Sequence, residues 1–334
     1  MDQRTLRVGA AVIACAVLLR LVSSGVLQPV VQALSQPEVA RVLLYLETGR
    51  VVRSTPAAET TAPTETVPEE SAAEASPIQP PVFTAEDTAR VSITYNCGYR
   101  PDIEALLTQT LDWDLTGEEP TVLILHTHTT ESYTQTENST YEESSAFRTL
   151  EEACNMLAVG DRVAETLEAG GISVIHDRTF HDYPSYSGSY AASRETVETY
   201  LKEYPSIRLV LDLHRDAAED AYGNQISTSA AVSGQDSAQL MIVAGSDAGG
   251  LNFPNWQENL SLALKLHAVL EDGNPGICRP INFCAQRYNE DLTSGSLLIE
   301  VGAAGNTLEE ALTAAKALGD AILALSHGSG ESEN

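Results

Sequence analysis

The spacing of apolar side chains divides the chain at about residue 90. Beyond that point short apolar runs alternate with stretches of helical period. Thr121–Leu125 (TVLIL) is a continuous apolar run, as a buried strand requires. Asn155–Gly170 carries apolar residues three and four apart, stops at Gly170-Gly171 and predicts a helix. Ile172–Ile175 predicts a strand, Tyr190–Glu203 a helix, and Ile207–Leu213 (IRLVLDL) another buried strand. Gln239–Ala244 reads as a strand, Trp256–Glu271 as a helix and Leu297–Val301 as a strand. Thr307–Leu325 reads as a long helix capped by Asn306 or Thr307. This alternation implies an α/β fold: a largely parallel, mixed sheet flanked by helices on both faces. Ligands of such sheets bind beyond the carboxyl ends of the strands.

The first 90 residues have a different pattern. Arg4 and Arg7 precede the apolar run Val8–Leu19, Arg20 interrupts it, and Leu21–Leu34 continues mostly apolar. Residues 1–35 therefore read as a single-pass membrane anchor. The basic residues ahead of it hold the N-terminus in the cytoplasm, so the remainder is extracytoplasmic. A cleaved signal peptide, cut near Ser23, Ser24 and Gly25, is the rival reading, and Arg20 is costly in a bilayer. Residues 36–53 suit a short amphipathic helix at the membrane. Residues 54–88 hold six prolines, seven acidic residues and no Lys or Arg. Such a stretch buries too little to offset its ordering entropy and reads as a disordered, self-repelling spacer. The catalytic domain is expected over 90–328.

Composition narrows the function. The 47 acidic residues against 19 basic ones, net −28, exclude a nucleic-acid binder, because phosphate backbones need a basic surface. An acidic domain is not drawn to an anionic surface by long-range attraction either, so a tether rather than charge would deliver it there. Five cysteines contain no C-x-x-C. Cys278 and Cys284 are close enough in sequence to pair, but the odd total and the lack of a cysteine-rich framework weigh against it. There is no G-x-S-x-G elbow, P-loop or G-x-G-x-x-G.

The candidate chemistry gathers where three strands end. TVLIL runs into His126-Thr127-His128-Thr129-Thr130-Glu131, LVLDL into His214-Arg215-Asp216, and LLI into Glu300. Ends of parallel strands share one edge, so imidazoles and carboxylates from distant parts of the chain can face one point. A catalytic zinc site uses three N/O ligands and leaves a position open for water. A separate carboxylate then moves the proton. His128-x-x-Glu131 can supply two ligands and His214 the third, with Glu300 as the base. Asp212 or Asp216 could orient an imidazole. His176 and His181 are plausible rim residues. A carboxylate such as Glu300 inside an apolar strand is expensive unless partnered.

At these residues the sequence resembles a known family. LHTHTTESY, NMLAVGDRVAETLEAGGISVIHDRT, LVLDLHRD and NFCAQRYNEDLTSGSLLIEVGAAGNTLEEA, in that order, are similar to the stage II sporulation protein P (SpoIIP) family of endospore-forming Firmicutes. The resemblance implies a membrane-anchored, zinc-dependent N-acetylmuramoyl-L-alanine amidase, with endopeptidase activity on peptide cross-links. It implies peptidoglycan stem peptides and glycan strands as substrate, and SpoIID and SpoIIM as partners in forespore engulfment. The implied fold is that of LytC-type amidases and zinc exopeptidases. Carried over, His214 falls on a ligand and Glu300 on the catalytic glutamate. Two ligand positions stay open. His126 competes with His128, and Glu151, just before the long helix, competes with Glu131. Gln286, Arg287, Tyr288 and Asn289 lie in a family-like loop that would bind stem peptide or glycan, and Arg215 could pair with a substrate carboxylate. A metallocarboxypeptidase-like hydrolase and a catalytically inactive septal scaffold are the alternatives.

Overall fold

A computed structural model describes residues 81–111 and 114–326. The expected anchor, the amphipathic segment and nearly all of the spacer lie outside the described residues. Among those described, no helix is long and apolar enough to cross a membrane.

Among the described residues, nine strands and five α-helices form. The strands are β1 (Ile93–Asn96), β2 (Val122–Leu125), β3 (Val174–His176), β4 (Leu209–Asp216), β5 (Ser229–Val232), β6 (Gln235–Ala238), β7 (Leu240–Ala244), β8 (Ile281–Cys284) and β9 (Ser296–Ala303). The helices are α1 (Ile103–Thr108), α2 (Met156–Ala169), α3 (Ser189–Glu203), α4 (Trp256–Gly273) and α5 (Leu308–Leu325). Seven strands make one sheet in the order β1-β8-β7-β9-β4-β2-β3. β3, β2, β4 and β9 run parallel to one another, as do β7, β8 and β1, and the two blocks meet at the antiparallel pair β7–β9. β5 and β6 form a separate hairpin.

The alternation of side chains along each strand decides what lies on each face. Val122, Ile124, Leu209, Leu211, Leu213, Leu297, Ile299 and Val301 point into the main core, packed with residues of α1, α2, α4 and α5. Leu123, Leu125 and Val210 point the other way and meet Val197 of α3. Asp212, His214, Leu298 and Glu300 have the parity of this second face, which among the described residues a single helix covers. The helices do flank both faces, four against one, and the thinly covered face carries the polar residues.

Several elements differ from expectation. β4 runs on through Asp216, so His214 sits within a strand and not past its end, while β9, Ser296–Ala303, holds Glu300 inside a strand as expected. The reason is mutual pairing, with His214 opposite Glu300 in the ladder. β1, β8 and the β5–β6 hairpin carry no apolar run long enough to read from sequence. Residues 81–88, assigned to the spacer by composition, are partly structured. Ala85–Arg90 forms a 3-10 turn held by a reciprocal Thr84–Asp87 capping box and an Arg90–Asp87 ion pair. Thr307, not Asn306, caps α5, accepting from Glu310 N in a second capping box. Asn306 supports it, its Nδ2 donating to Glu310 Oε2 at 2.8 Å. Cys278 and Cys284 are free thiols.

Lys265 on α4 is buried with its amine 2.9 Å from Leu106 O and 2.7 Å from Ser261 Oγ. Burial pulls its pKa down to about 8 from 10.5. An unfolded chain holds this proton up to about 10.5, so between pH 8 and 10.5 the unfolded state binds more protons. Stability from this group therefore rises with pH across that window. Lys265→Met removes the charge, while Ser261 still donates to Leu106 O at 2.7 Å. The variant is expected to gain on the order of 1 kcal/mol at pH 7. Urea titrations at several pH values should show this advantage shrinking from pH 8 upward, and an advantage independent of pH would contradict it.

Candidate active site

The site starts from the ladder between β4 and β9. Pairing places His214 beside Glu300, both on the face that α3 covers. β2 ends at Leu125, and the chain turns over residues 127–130, which carries His128 and Glu131 across to the same place. His128 and His214 rings stand edge to face, with centroids 5.2 Å apart. Glu131 Oε2 is 3.7 Å from His214 Nδ1. His128, Glu131, His214 and Glu300 are thus brought together.

Asp212 sits two residues before His214 on the same strand face. Its carboxylate accepts from Thr127 N at 2.8 Å and Thr127 Oγ1 at 2.6 Å, which ties β4 to the turn after β2. His214 Nε2 lies 2.9 Å from Asp212 Oδ1, but off the hydrogen-bond direction, and is a buried atom without a hydrogen-bond partner. Glu300 Oε2 is a second such atom. Burial opposes charge on His214, yet Asp212, then Glu131 and Glu300, outweigh it and push the imidazole up to about 9. Burial pushes the Glu300 carboxyl up to about 8, with Glu131 and Asp216 adding and His214 and Arg215 opposing. Burial also opposes charge on Asp212, but His214 and the Thr127 hydrogen bonds hold its pKa below the usual carboxylate range. His128 is pulled down to about 4 by burial, then by His214 and Arg148.

His126 goes elsewhere. Its position continues the alternation of β2 toward the helix-rich face, against α2. There its Nδ1 donates to Leu213 O at 2.9 Å and its Nε2 meets His176 Nε2 at 2.9 Å. His176 Nδ1 in turn meets Asp161 of α2 at 2.9 Å. Gly160 leaves the room for this pair, since a Cβ there would stand 2.4 Å from His176 Nε2. Burial, then His176, lowers His126 to about 3. Glu151 is exposed and accepts from Glu142 N at 2.6 Å, so it is not part of the cluster. His181 is buried between His126 O and Thr196 Oγ1.

The remaining sequence candidates form the surround. The Arg215 guanidinium is buried and turned to two carbonyls, Ser132 O at 3.0 Å and Phe147 O at 3.0 Å, which holds the 131–148 loop rather than facing a substrate. Asp216 pairs with Arg279 at 2.6 Å. In the 286–289 loop, Tyr288 and Asn289 both have left-handed φ, 47° and 61°. Asn289 Nδ2 donates to Tyr190 O at 2.8 Å, and the Tyr288 ring lies 5.5 Å from that of Tyr190. Arg287 pairs with Asp291 at 3.2 Å, and Gln286 is exposed.

Five contributors were not visible in the sequence. Arg148 bridges Asp182 at 2.6 Å and Glu131 at 3.0 Å. Tyr186 stacks on His128 at 4.5 Å, with its hydroxyl 3.1 Å from His128 Nε2, while Ser189 Oγ lies 3.3 Å from Nδ1. Tyr190 lies 5.6 Å from the His128 ring and 6.4 Å from the His214 ring. Burial, then Asp212, Tyr288, Glu300 and Glu131, raise the Tyr190 phenol above its ordinary value. Asp161 completes the list. Aromatic and hydroxyl residues in SYSGSYAAS carry no spacing that separates them from an ordinary helix start, so no sequence signal marked them.

Among the described residues, no three His, Cys, Asp or Glu side chains close into a ligating cluster. The donor set nonetheless fits a divalent ion of the zinc type. It offers two imidazoles and a carboxylate, and its two orphaned atoms, His214 Nε2 and Glu300 Oε2, are buried polar groups of a kind native structures seldom leave unpaired.

Fold and site together define an α/β protein with a buried imidazole–carboxylate cluster on the thinly covered face of a mixed sheet. The family model of Stage II sporulation protein P (SpoIIP) matches residues 41–323, and the chain belongs to that family. The Stage II sporulation protein P of Bacillus subtilis (strain 168) is 30% identical over 218 residues, 61% of this chain and 51% of that protein. The chain thus matches about half the length of this curated relative. Among solved structures, N-acetylmuramoyl-L-alanine amidase AmiC2 of Nostoc punctiforme is similar at 13% identity, covering 62% of this chain and 97% of that one, with a TM-score of 0.37. An N-acetylmuramoyl-L-alanine amidase from Clostridium difficile 630 is similar at 14% identity, covering 62% and 96%, with a TM-score of 0.37.

Proposed function

We propose that the chain is a zinc-dependent peptidoglycan hydrolase, an N-acetylmuramoyl-L-alanine amidase with an endopeptidase capacity, acting in sporulation. The observation that carries the reading is the His214–Glu300 pair, set side by side across β4 and β9 with a buried atom on each residue that makes no hydrogen bond. Membership of the SpoIIP family supports the same reading. His128, Glu131 and His214 would hold the ion, with His126 and Glu151 the less suited competitors, because each is engaged or exposed elsewhere. Bound there, zinc supplies a Lewis acid and lowers the pKa of water toward neutrality.

The chain's own residues do the rest. Glu300 takes the proton of the attacking water and returns it to the nitrogen of the leaving L-alanine. A carboxyl pushed up toward neutral pH is suited to both halves of that transfer. Asp212 holds the turn after β2 in register with His214. Arg148 and the Arg215 backbone N–H fix the Glu131 carboxylate, the latter at 3.3 Å. Tyr288, Asn289, Arg287 and Gln286 lie where a stem peptide or glycan strand would cross the rim. The N-terminal apolar segment would anchor the chain in the cell membrane, with the hydrolase outside. SpoIID and SpoIIM are its expected partners at the engulfing membrane.

Mass spectrometry of muropeptides released from purified sacculi by the full chain tests this. Free stem peptides are expected, lost on chelation and restored by zinc. Shorter peptides with the muramoyl bond intact would point instead to a carboxypeptidase. A purified chain with no bound metal and no product would leave a scaffold.

A further inference from the structure

Tyr190 has no part in the reading above, yet it occupies the centre of the site. It is the second residue of α3, directly after Ser189, and Gly188 enters the helix with a left-handed φ of 95°. Its main-chain carbonyl is pinned by Asn289 at 2.8 Å. Its ring is enclosed by three others, His128 at 5.6 Å, Tyr288 at 5.5 Å and His214 at 6.4 Å, the last nearly parallel at 13°. Backbone and ring are therefore both fixed, but among the described residues the hydroxyl has no hydrogen-bond partner in the protein and is left to solvent. A half-buried phenol normally finds one. A donor held rigidly, free of protein partners and set among the groups assigned to water and proton transfer is what a polar group on the substrate would engage in place of water.

The chemistry of the surround selects which group. Asp212, Glu131 and Glu300 are the acidic neighbours, so an anionic ligand is disfavoured in the ground state. A neutral amide oxygen is acceptable there and gains negative charge only as water adds to its carbon. We propose that Tyr190 is a catalytic residue whose hydroxyl donates a hydrogen bond to the scissile carbonyl oxygen and strengthens that bond as the tetrahedral state forms. This rests on the amidase reading. Water adds to the carbonyl carbon, the C–N bond breaks, and the water proton passes by way of Glu300 to the leaving nitrogen. Tyr190 keeps its own proton throughout. The role is preorganised electrostatic stabilisation, because the donor needs no reorientation at the moment of reaction.

Tyr190→Phe removes only the hydroxyl. The full chain carrying it is expected to lose roughly 10²-fold in kcat, with KM changed less than about threefold, since the lost bond belongs to the transition state. A second readout does not depend on turnover. A muramoyl-peptide analogue with the scissile amide replaced by a phosphinate should bind the variant on the order of 10²-fold more weakly. Uncleaved muramoyl peptide should bind equally to Glu300→Gln with and without Tyr190→Phe. Bound metal, measured by elemental analysis, should be unchanged. Wild-type kcat in Tyr190→Phe overturns the proposal, as does an effect confined to KM or one that tracks lost metal. A wild-type chain that releases no stem peptide overturns the amidase reading and this proposal together. An active wild type with an unaffected variant overturns this proposal alone.

Discussion

Glu300→Gln is expected to lower release of stem peptides from sacculi by on the order of 10³-fold, while leaving the chain folded. The amide keeps the volume of the carboxyl but can neither take a proton from water nor return one to an amine. Stability should move the other way. In the metal-free chain the Glu300 carboxyl stays protonated up to about pH 8, against 4.5 in the unfolded state. Between those values the folded state binds more protons, so this group's contribution falls as pH rises. Gln carries no charge to bury, so the variant's advantage in denaturant titrations should grow from pH 4.5 to 8. Lost activity with retained or increased stability is the trade-off expected of a strained catalytic group. His214→Ala is expected to abolish activity as well, but it removes the partner of Asp212 and should cost stability. Full hydrolysis by Glu300→Gln would sink the assignment of the base.

How much of this was legible in the sequence follows the physics of each element. The strands that carry His214 and Glu300 announce themselves because buried parallel strands are apolar on both faces. A charged residue at such a position stands out against Leu211, Leu213, Leu297 and Ile299. The antiparallel β7–β9 junction was not legible, because hydropathy says nothing of direction. The fate of His126 and His128 was not settled either. Two residues apart on an extended strand, they would share a face. The chain leaves β2 at Leu125 and turns, and so the two imidazoles part, one to α2 and one to α3. Glu131 could be named from its H-x-x-E spacing. Arg148, which holds its carboxylate, could not, because it stands seventeen positions further along the loop. Tyr186 and Tyr190 were hidden for a similar reason, since what places them is the docking of α3 and not a local pattern.

The position on which the site geometry depends most is a glycine with no chemistry of its own. Gly295, just before β9, is buried, and its carbonyl accepts from Val210 N at 2.9 Å where β9 meets β4. A Cβ there would lie 2.0 Å from Arg208 O and 3.1 Å from Arg208 C, both backbone atoms. No side-chain rotamer can relieve that contact, so one strand must move. The register that follows is the one that sets Ser296 opposite Val210 and Glu300 opposite His214. Gly295→Ala should therefore cost about 3 kcal/mol or more, at the severe end for overpacking. For a domain of this size that corresponds to a melting temperature lowered by roughly 6–12 °C. Whatever chain remains folded should also lose activity, because a displaced β9 carries Glu300 away from His214. Gly273, which ends α4 with open space around its Cβ position, supplies the control, and Gly273→Ala should leave both quantities close to wild type. Calorimetry and stem-peptide release measured on both variants check the pair. Equal behaviour of the two alanines would mean that the β4–β9 contact is not what fixes the catalytic geometry.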